Sequence, residues 1–164
     1  MSNRMLFAAG AAACALLLAT GYYLQYFQGQ DPCPLCLVQR GFYYAFGAVF
    51  LVAAMHGAGT VAYSVAGFLV ALGGAAVAVR HVWLQHLPPD QVPACGPDLF
   101  YMLENFPLRR TLEKLFTATG QCAEVKWRFL GLSIAEWSLA WFAALAFYAL
   151  WIAFKRRSPK QLLR

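Results

Sequence analysis

The chain has 164 residues, 61% of them hydrophobic and 12% charged, with a formal net charge of +6. Soluble domains hold about 45–50% apolar and about 25% charged residues, so the composition excludes an ordinary soluble fold. Nor is the basic excess a nucleic-acid footprint: no groove of arginines interleaved with stacking aromatics is legible, and the excess cations crowd at the two ends.

Residues 5–30, 41–79 and 137–154 contain no Asp, Glu, Lys or Arg. A helix needs about 20 apolar residues to cross the hydrocarbon core. The first stretch suits one crossing. Its Arg4 and small residues resemble a secretory leader, but the run continues through "LLLATGYYLQYF" without a clear cleavage site, so it reads as a retained span. The "AAAC" ending at Cys14 lacks the large leading aliphatic of a lipoprotein box, and mid-helix Cys14 reads as a small packing hydrophobe. The middle stretch, 39 residues long, accommodates two crossings, broken at "HGAGT" (56–60), where two glycines suit a tight turn. The last stretch is one crossing, opened by Ser133 and Glu136 in the S-x-x-E spacing of a capping box. The expected fold is an all-α membrane protein, a four-transmembrane-helix bundle in one domain over 1–164. Its spans are expected at about 5–27, 37–55, 60–82 and 134–154, with outer loops at about 28–36 and 83–133.

Seven internal cations balance the seven acids, so the +6 resides in Arg4, Lys155, Arg156, Arg157, Lys160 and Arg164. Basic flanks stay cytoplasmic, which places both termini inside, as an even number of crossings requires. Cys33 and Cys36 then lie in the first outer loop, Cys95 and Cys122 in the second, and the inner side has no cysteine. That distribution suits disulfide chemistry on an oxidising face.

Three readings of these cysteines compete. A metal site is disfavoured: Cys95 and Cys122 stand 27 residues apart, and no second Cys-x-x-Cys or paired-histidine motif completes the first. A purely structural pair of disulfides is weak for Cys33 and Cys36, because so short a ring constrains little of the unfolded chain; for Cys95 and Cys122 it stays open. Redox activity fits the first pair better, since short strained bridges tend to be the labile ones. In "DPCPLCLVQR" the prolines keep the chain extended, and a helix is expected to begin near Cys36 or Leu37. A thiol at a helix N-terminus feels the positive end of the dipole. Arg40, four residues after Cys36, falls on the same helical face and needs a polar or anionic partner at membrane depth. Gln39 reads as a plain interfacial residue.

After Arg80, "HVWLQHLPPDQVPAC", which holds His81 and His86, carries the chain out of the third span into the second outer loop, where Pro88, Pro89 and Pro93 keep it irregular. Cys95 in "PACGPD" sits in a segment suited to entering another protein's groove as an extended strand. Leu99, Met102, Leu103 and Phe106 share one helical face. After Pro107, Leu108, Leu112, Leu115 and Phe116 share another, opposite Arg109, Arg110, Glu113 and Lys114, as in a short amphipathic helix lying in the interface. Cys122 follows in a turn, "TGQCAE". Trp127, Trp137 and Trp141 suit an interfacial aromatic belt. Neither a dinucleotide-binding glycine fingerprint nor a haem-attachment Cys-x-x-Cys-His is present. A pair on a mobile loop and a pair at the membrane lip suit a relay from a soluble dithiol to a lipid-soluble two-electron acceptor, a quinone.

"CPLCLVQR" before the second span, "VPACGPDLF" in the second outer loop and "GQCAEVKWRFLGLSIAEW" before the fourth span together resemble the DsbB family of bacterial inner-membrane disulfide bond formation proteins. The resemblance covers nearly the whole chain, and it implies a set of roles. Cys95, disulfide-bonded to Cys122, would be attacked by a periplasmic DsbA-like thioredoxin-fold protein. Cys122 would pass the electrons on by attacking the Cys33–Cys36 bond, at Cys33. Cys36 would face ubiquinone or menaquinone, with Arg40 polarising a quinone oxygen and either His81 or His86 nearby. No metal ligands are expected. A vitamin K epoxide reductase-like enzyme is the alternative within thiol–quinone chemistry, but there the Cys-x-x-Cys precedes the last core helix, whereas here it precedes the second. A non-enzymatic membrane protein with disulfide-stapled loops is the other alternative.

Overall fold

Four long helices carry the chain in the computed structural model: α1 (Asn3–Gln28), α2 (Pro34–His56), α3 (Thr60–Gln85) and, after a seven-residue helix α4 (Leu99–Asn105), α5 (Ile134–Lys155). The structure describes residues 2–92, 99–107, 109–110, 120–125 and 127–155. Each long helix has 22–26 residues, which at about 1.5 Å per residue spans the ~30 Å hydrocarbon layer. Only 22–39% of their most apolar windows are buried inside the protein. Leu16, Tyr26, Phe27, Met55, Leu69 and Phe147 point outward, an arrangement that water penalises and lipid does not. The expected four-span bundle is therefore what the chain forms.

The helix ends follow local chemistry. Ser2 caps α1 by accepting from the Met5 N–H, and Gly29 closes it in the left-handed region at φ 62°. Gly57 and Gly59, at φ 73° and 67°, form the turn between α2 and α3, at the expected "HGAGT". A side chain there would strain the backbone, which explains both glycines. The start of α2 differs from expectation. It begins at Pro34, and Cys33 is its N-cap residue. Proline is pre-organised for the first helical position, where its missing N–H costs nothing. The expected capping box opens α5: the Ser133 N–H donates to the Glu136 carboxylate at 2.6 Å, and the Glu136 N–H donates to Ser133 Oγ at 3.3 Å.

Helices α1 and α2, α2 and α3, and α3 and α5 pack against one another. The bundle closes through Tyr148 of α5, whose hydroxyl donates to the Leu6 carbonyl of α1 at 2.8 Å. Aromatic rings fill the middle. Tyr43 stacks on Phe142 with centroids 4.2 Å apart, and its hydroxyl contacts Ser138 Oγ at 3.1 Å. Phe142 lies directly over Gly74, where any Cβ would collide with the ring. Cys14 is buried in this cluster, consistent with a packing thiol.

Two features of the second outer loop depart from the all-helical expectation. Arg128 and Phe129 pair antiparallel with Leu132 and Ser133, with Leu130 and Gly131 as the two-residue turn. Both turn residues have positive φ, 52° and 82°, the geometry that matches strand twist in a tight hairpin. A short 3-10 turn, Gly120–Cys122, precedes it. Of the two apolar faces expected between residues 99 and 116, α4 carries the first, with Met102 buried. The amphipathic segment at Leu108, Leu112, Leu115 and Phe116 lies outside the described residues.

Candidate functional site

The outer ends of α1, α2, α3 and α5 and the segment after Cys122 enclose a cavity of about 460 Å³. Leu17, Leu18 and Leu24 form its α1 wall, and Trp137 and Trp141 its α5 wall; its polar lining includes Cys33, Cys36, Gln39, Arg40, His81 and Gln85, with the acidic residues Asp31 and Glu124 also bordering it. Cys122 borders it from the 3-10 turn. Pockets that bind small molecules share this character, apolar walls with a few convergent polar groups.

Cys33 and Cys36 are free thiols, with their sulfurs 3.1 Å apart. Cys33 Sγ accepts the Cys36 backbone N–H at 3.4 Å, so a donor of the helix N-terminus is spent on the first cysteine. Cys122 is buried on Leu35, Val77 and Leu84, which hold its sulfur against Cys33. The dipole does not prevail at Cys33. Its hydrogen bond with Cys122, reinforced by burial, pushes the thiol up to about 12 from an ordinary 9.0, against the opposing pull of the Cys36 hydrogen bond. A thiol held this way stays protonated at neutral pH, and a thiolate at Cys122 holds the proton there more firmly still.

His81 sits one helical turn before the end of α3, 3% exposed, with Nε2 3.7 Å from Cys33 Sγ. Its Nδ1 is 3.1 Å from the Gln39 amide nitrogen. A neutral imidazole has one donor and one acceptor. With the amide in this orientation Nδ1 accepts and the proton lies on Nε2, facing the sulfur. Gln85 Nε2 is 3.5 Å from His81 Nε2, while Gln85 Oε1 accepts from Ser133 Oγ at 2.7 Å, tying α3 to the start of α5. The Nε2 atom of His81, Cys33 Sγ and Cys122 Sγ all lie within 4.8 Å of one another.

Arg40 reaches toward α1. It donates to Gln25 Oε1 at 2.6 Å and to the Gly21 carbonyl at 2.9 Å, and its guanidinium lies 4.7 Å from the Tyr22 ring centroid. A guanidinium has five N–H donors, so it can still donate into the cavity that it lines.

The structure thus places Cys33, Cys36, Arg40, His81 and Cys122 around one cavity. His86 stands apart: it is exposed, and its Nδ1 contacts the Val82 carbonyl at 2.9 Å. The histidines one and two helical turns past Ala78 diverge because only His81 shares the inward face of α3 with Ala78 and Leu84. Cys95 lies outside the described residues. Gln39 is corrected from an interfacial residue to a buried one, 4% exposed. Its spacing carried a signal, because it follows Cys36 by three and so shares a helical face with it. Gln85 and Ser133 were also missed as site residues; Gln85 follows His81 by four, the same kind of signal.

A family profile described as "Disulfide bond formation protein DsbB" matches residues 3–152. Proteins named "Disulfide bond formation protein B" are similar over nearly their whole length. The one from Nitrosococcus oceani is 50% identical, covering 92% of this chain and 91% of its own. That from Hahella chejuensis is 47% identical over 98% of both chains. That from Methylococcus capsulatus is 49% identical over 91% of this chain and 93% of its own. With three cysteines gathered at the lip of a four-helix membrane bundle and the profile matched over residues 3–152, the chain belongs to the DsbB family of disulfide bond formation proteins.

Proposed function

We propose that the chain oxidises the dithiol of a periplasmic DsbA-like thioredoxin-fold protein and delivers the two electrons to a quinone in the bacterial inner membrane, with both of its own termini in the cytoplasm. The observation that supports this most directly is the run of sulfurs from Cys122 to Cys33 to Cys36 ending at a largely apolar cavity of about 460 Å³ with Arg40 in its wall.

Thiol–disulfide exchange proceeds by attack of a thiolate on one sulfur of a disulfide. In the oxidised protein the partner's thiolate attacks Cys95, forming a mixed disulfide and releasing Cys122 as thiolate. Cys122 attacks Cys33, which breaks the Cys33–Cys36 bond and releases Cys36. The partner's second thiol resolves the mixed disulfide at its own sulfur and frees Cys95, so the partner loses two electrons and two protons in all. Cys95 then attacks Cys122 in the new Cys122–Cys33 bond, which restores Cys95–Cys122 and leaves Cys33 and Cys36 reduced, and this pair would return to its disulfide by giving its two electrons to the quinone. Burial of Cys122 against Leu35, Val77 and Leu84 aims its sulfur at Cys33 and keeps water away during transfer.

The cavity fits a quinone head group in size and in lining. Arg40 would hold a carbonyl oxygen by its free N–H donors, and Leu17, Leu18, Trp137 and Trp141 would cover the ring and lead its tail toward lipid. When bound, ubiquinone or menaquinone supplies the two-electron acceptor that the chain lacks. Arg40 is held by Gln25 and Gly21 before anything binds, so little reorganisation is needed.

The test is quinone absorbance during turnover. Purified protein in detergent receives a reduced DsbA-like protein and ubiquinone, beside a Cys36→Ser control. Thiol-dependent loss of the oxidised-quinone absorbance, abolished in the control, is the expected result. Intact disulfides that the partner cannot reduce, with no quinone consumed, would leave a membrane protein whose loops are merely stapled.

A further inference from the structure

The spacing of the cysteines along the chain argues against a metal site, but the fold supplies donors that the spacing hides. His81 arrives from α3 and Cys122 from the 3-10 turn, and both meet Cys33 at the cap of α2. Zinc bonds of about 2.3 Å to sulfur and 2.0–2.1 Å to nitrogen hold tetrahedral donors about 3.6 Å apart. Cys33 Sγ and His81 Nε2 are already 3.7 Å apart. The whole trio lies within 4.8 Å, so its widest pair needs to close by only about 1 Å to reach a tetrahedral edge. The sulfur of Cys36 lies beside this trio, 3.1 Å from that of Cys33.

We propose that the fully reduced protein binds a zinc-like divalent cation through Cys33, Cys122 and His81 Nε2, with Cys36 as fourth ligand, and that this holds the relay in an inactive, reduced form. The cation displaces the thiol protons to solvent and forms three metal–sulfur bonds and one metal–nitrogen bond; no electron is transferred. Oxidation of Cys33 and Cys36 to a disulfide removes two ligands at once, so the site exists only in the reduced state. While the metal is held, Cys122 cannot attack and Cys36 cannot give up electrons.

Gln39 gives this site its outer support. A ligating histidine nearly always donates its other ring N–H to a carbonyl or carboxylate. Metal at Nε2 moves the ring proton to Nδ1, and a half-turn of the buried Gln39 amide presents its carbonyl oxygen 3.1 Å away, where its nitrogen now stands. Gln85 and Ser133 stay paired through this change, because their bond runs through Gln85 Oε1. The inference needs only reduced thiols and does not rest on the acceptor proposed above.

The probe is cobalt(II), which reports thiolate ligation by charge-transfer absorption and tetrahedral geometry by its visible ligand-field bands. Reduced full-length protein in detergent is titrated with cobalt and then with zinc. The expected result is one cobalt per chain, tetrahedral bands, and displacement by zinc. Cys122→Ser and His81→Ala should each weaken binding and alter the bands, while Cys95→Ser and His86→Ala leave them unchanged. Gln39→Leu should weaken binding about 10- to 100-fold, as expected for loss of an outer-shell partner. Circular dichroism and gel filtration of each variant establish that it is folded; Gln39→Leu keeps all four ligands and tests the site if a ligand variant does not fold. No charge-transfer absorption in the reduced parent would overturn the proposal. So would a spectrum that survives both Cys122→Ser and His81→Ala, or one that depends on Cys95. Failure of quinone reduction, measured separately, bears only on the proposed function.

Discussion

Replacing Gln39 by leucine tests the part of the site that sequence reasoning overlooked. Leucine occupies a similar volume, so packing between α2 and α3 changes little. What is lost is the 3.1 Å contact between two side chains that are 4% and 3% exposed. His81 Nδ1 is then buried without a partner. Leaving such a group unsatisfied costs about 1–3 kcal/mol, and at about 2–4 °C per kcal/mol for a chain of this size the loss is measurable by thermal unfolding in detergent. The decisive measurement is a double-mutant cycle with His81→Leu. In that background no ring nitrogen remains to be orphaned, so Gln39→Leu should lose most of its effect, giving a coupling of about 1–3 kcal/mol. Equal losses in both backgrounds, or no loss in either, would refute the assignment of Gln39 as the partner that fixes the ring of His81.

Arg40→Ala removes a charge-assisted donor, worth about 1.5–3 kcal/mol to a bound carbonyl. The KM for quinone should rise about 10- to 150-fold in a steady-state titration, and an unchanged KM would remove Arg40 from the acceptor site. In reduced, chelator-treated protein, a Cys33 thiol at about 12 rather than 9.0 should react with iodoacetamide about a thousandfold more slowly at neutral pH than an ordinary thiol. The same shift favours the folded reduced protein below pH 9 and is lost between 9 and about 12, because the unfolded chain ionises first. Cys122→Ala removes the largest cause of the shift, so alkylation of Cys33, read by peptide mass spectrometry, should speed up. Gly74→Val places a side chain against the Phe142 ring and should lower stability by about 1–3 kcal/mol, seen as earlier thermal aggregation in detergent. Ser133→Ala removes both the α5 cap and the partner of Gln85, and should cost about 0.5–2 kcal/mol.

The sequence by itself determined the four spans, because three long stretches without charge admit no other solvent than lipid for their surfaces. It also determined the turn at Gly57 and Gly59 and the capping box at Ser133 and Glu136, which are local devices whose partners lie within four residues. The two-residue hairpin at Leu130 and Gly131 was harder to read, since a leucine is an unusual choice for a left-handed turn position and the strands are only two residues long. The start of α2 was misplaced by a few residues because a proline that usually ends helices also begins them, and Cys33 makes an unusual cap. Which histidine joins the cysteines could not be settled in one dimension. His81 lies on the inward face of α3, whereas His86 is the residue that caps its end, and that inward face acquires meaning once α2 packs against it. The contacts of Cys33 with Cys122 and His81 join residues 89 and 48 positions apart, so they exist only through the packing of the bundle. Tertiary structure alone turned Gln39 from an interfacial residue into the buried partner of His81, because a polar side chain on an apolar helix shows its purpose only when the facing helix supplies the other half of its hydrogen bond.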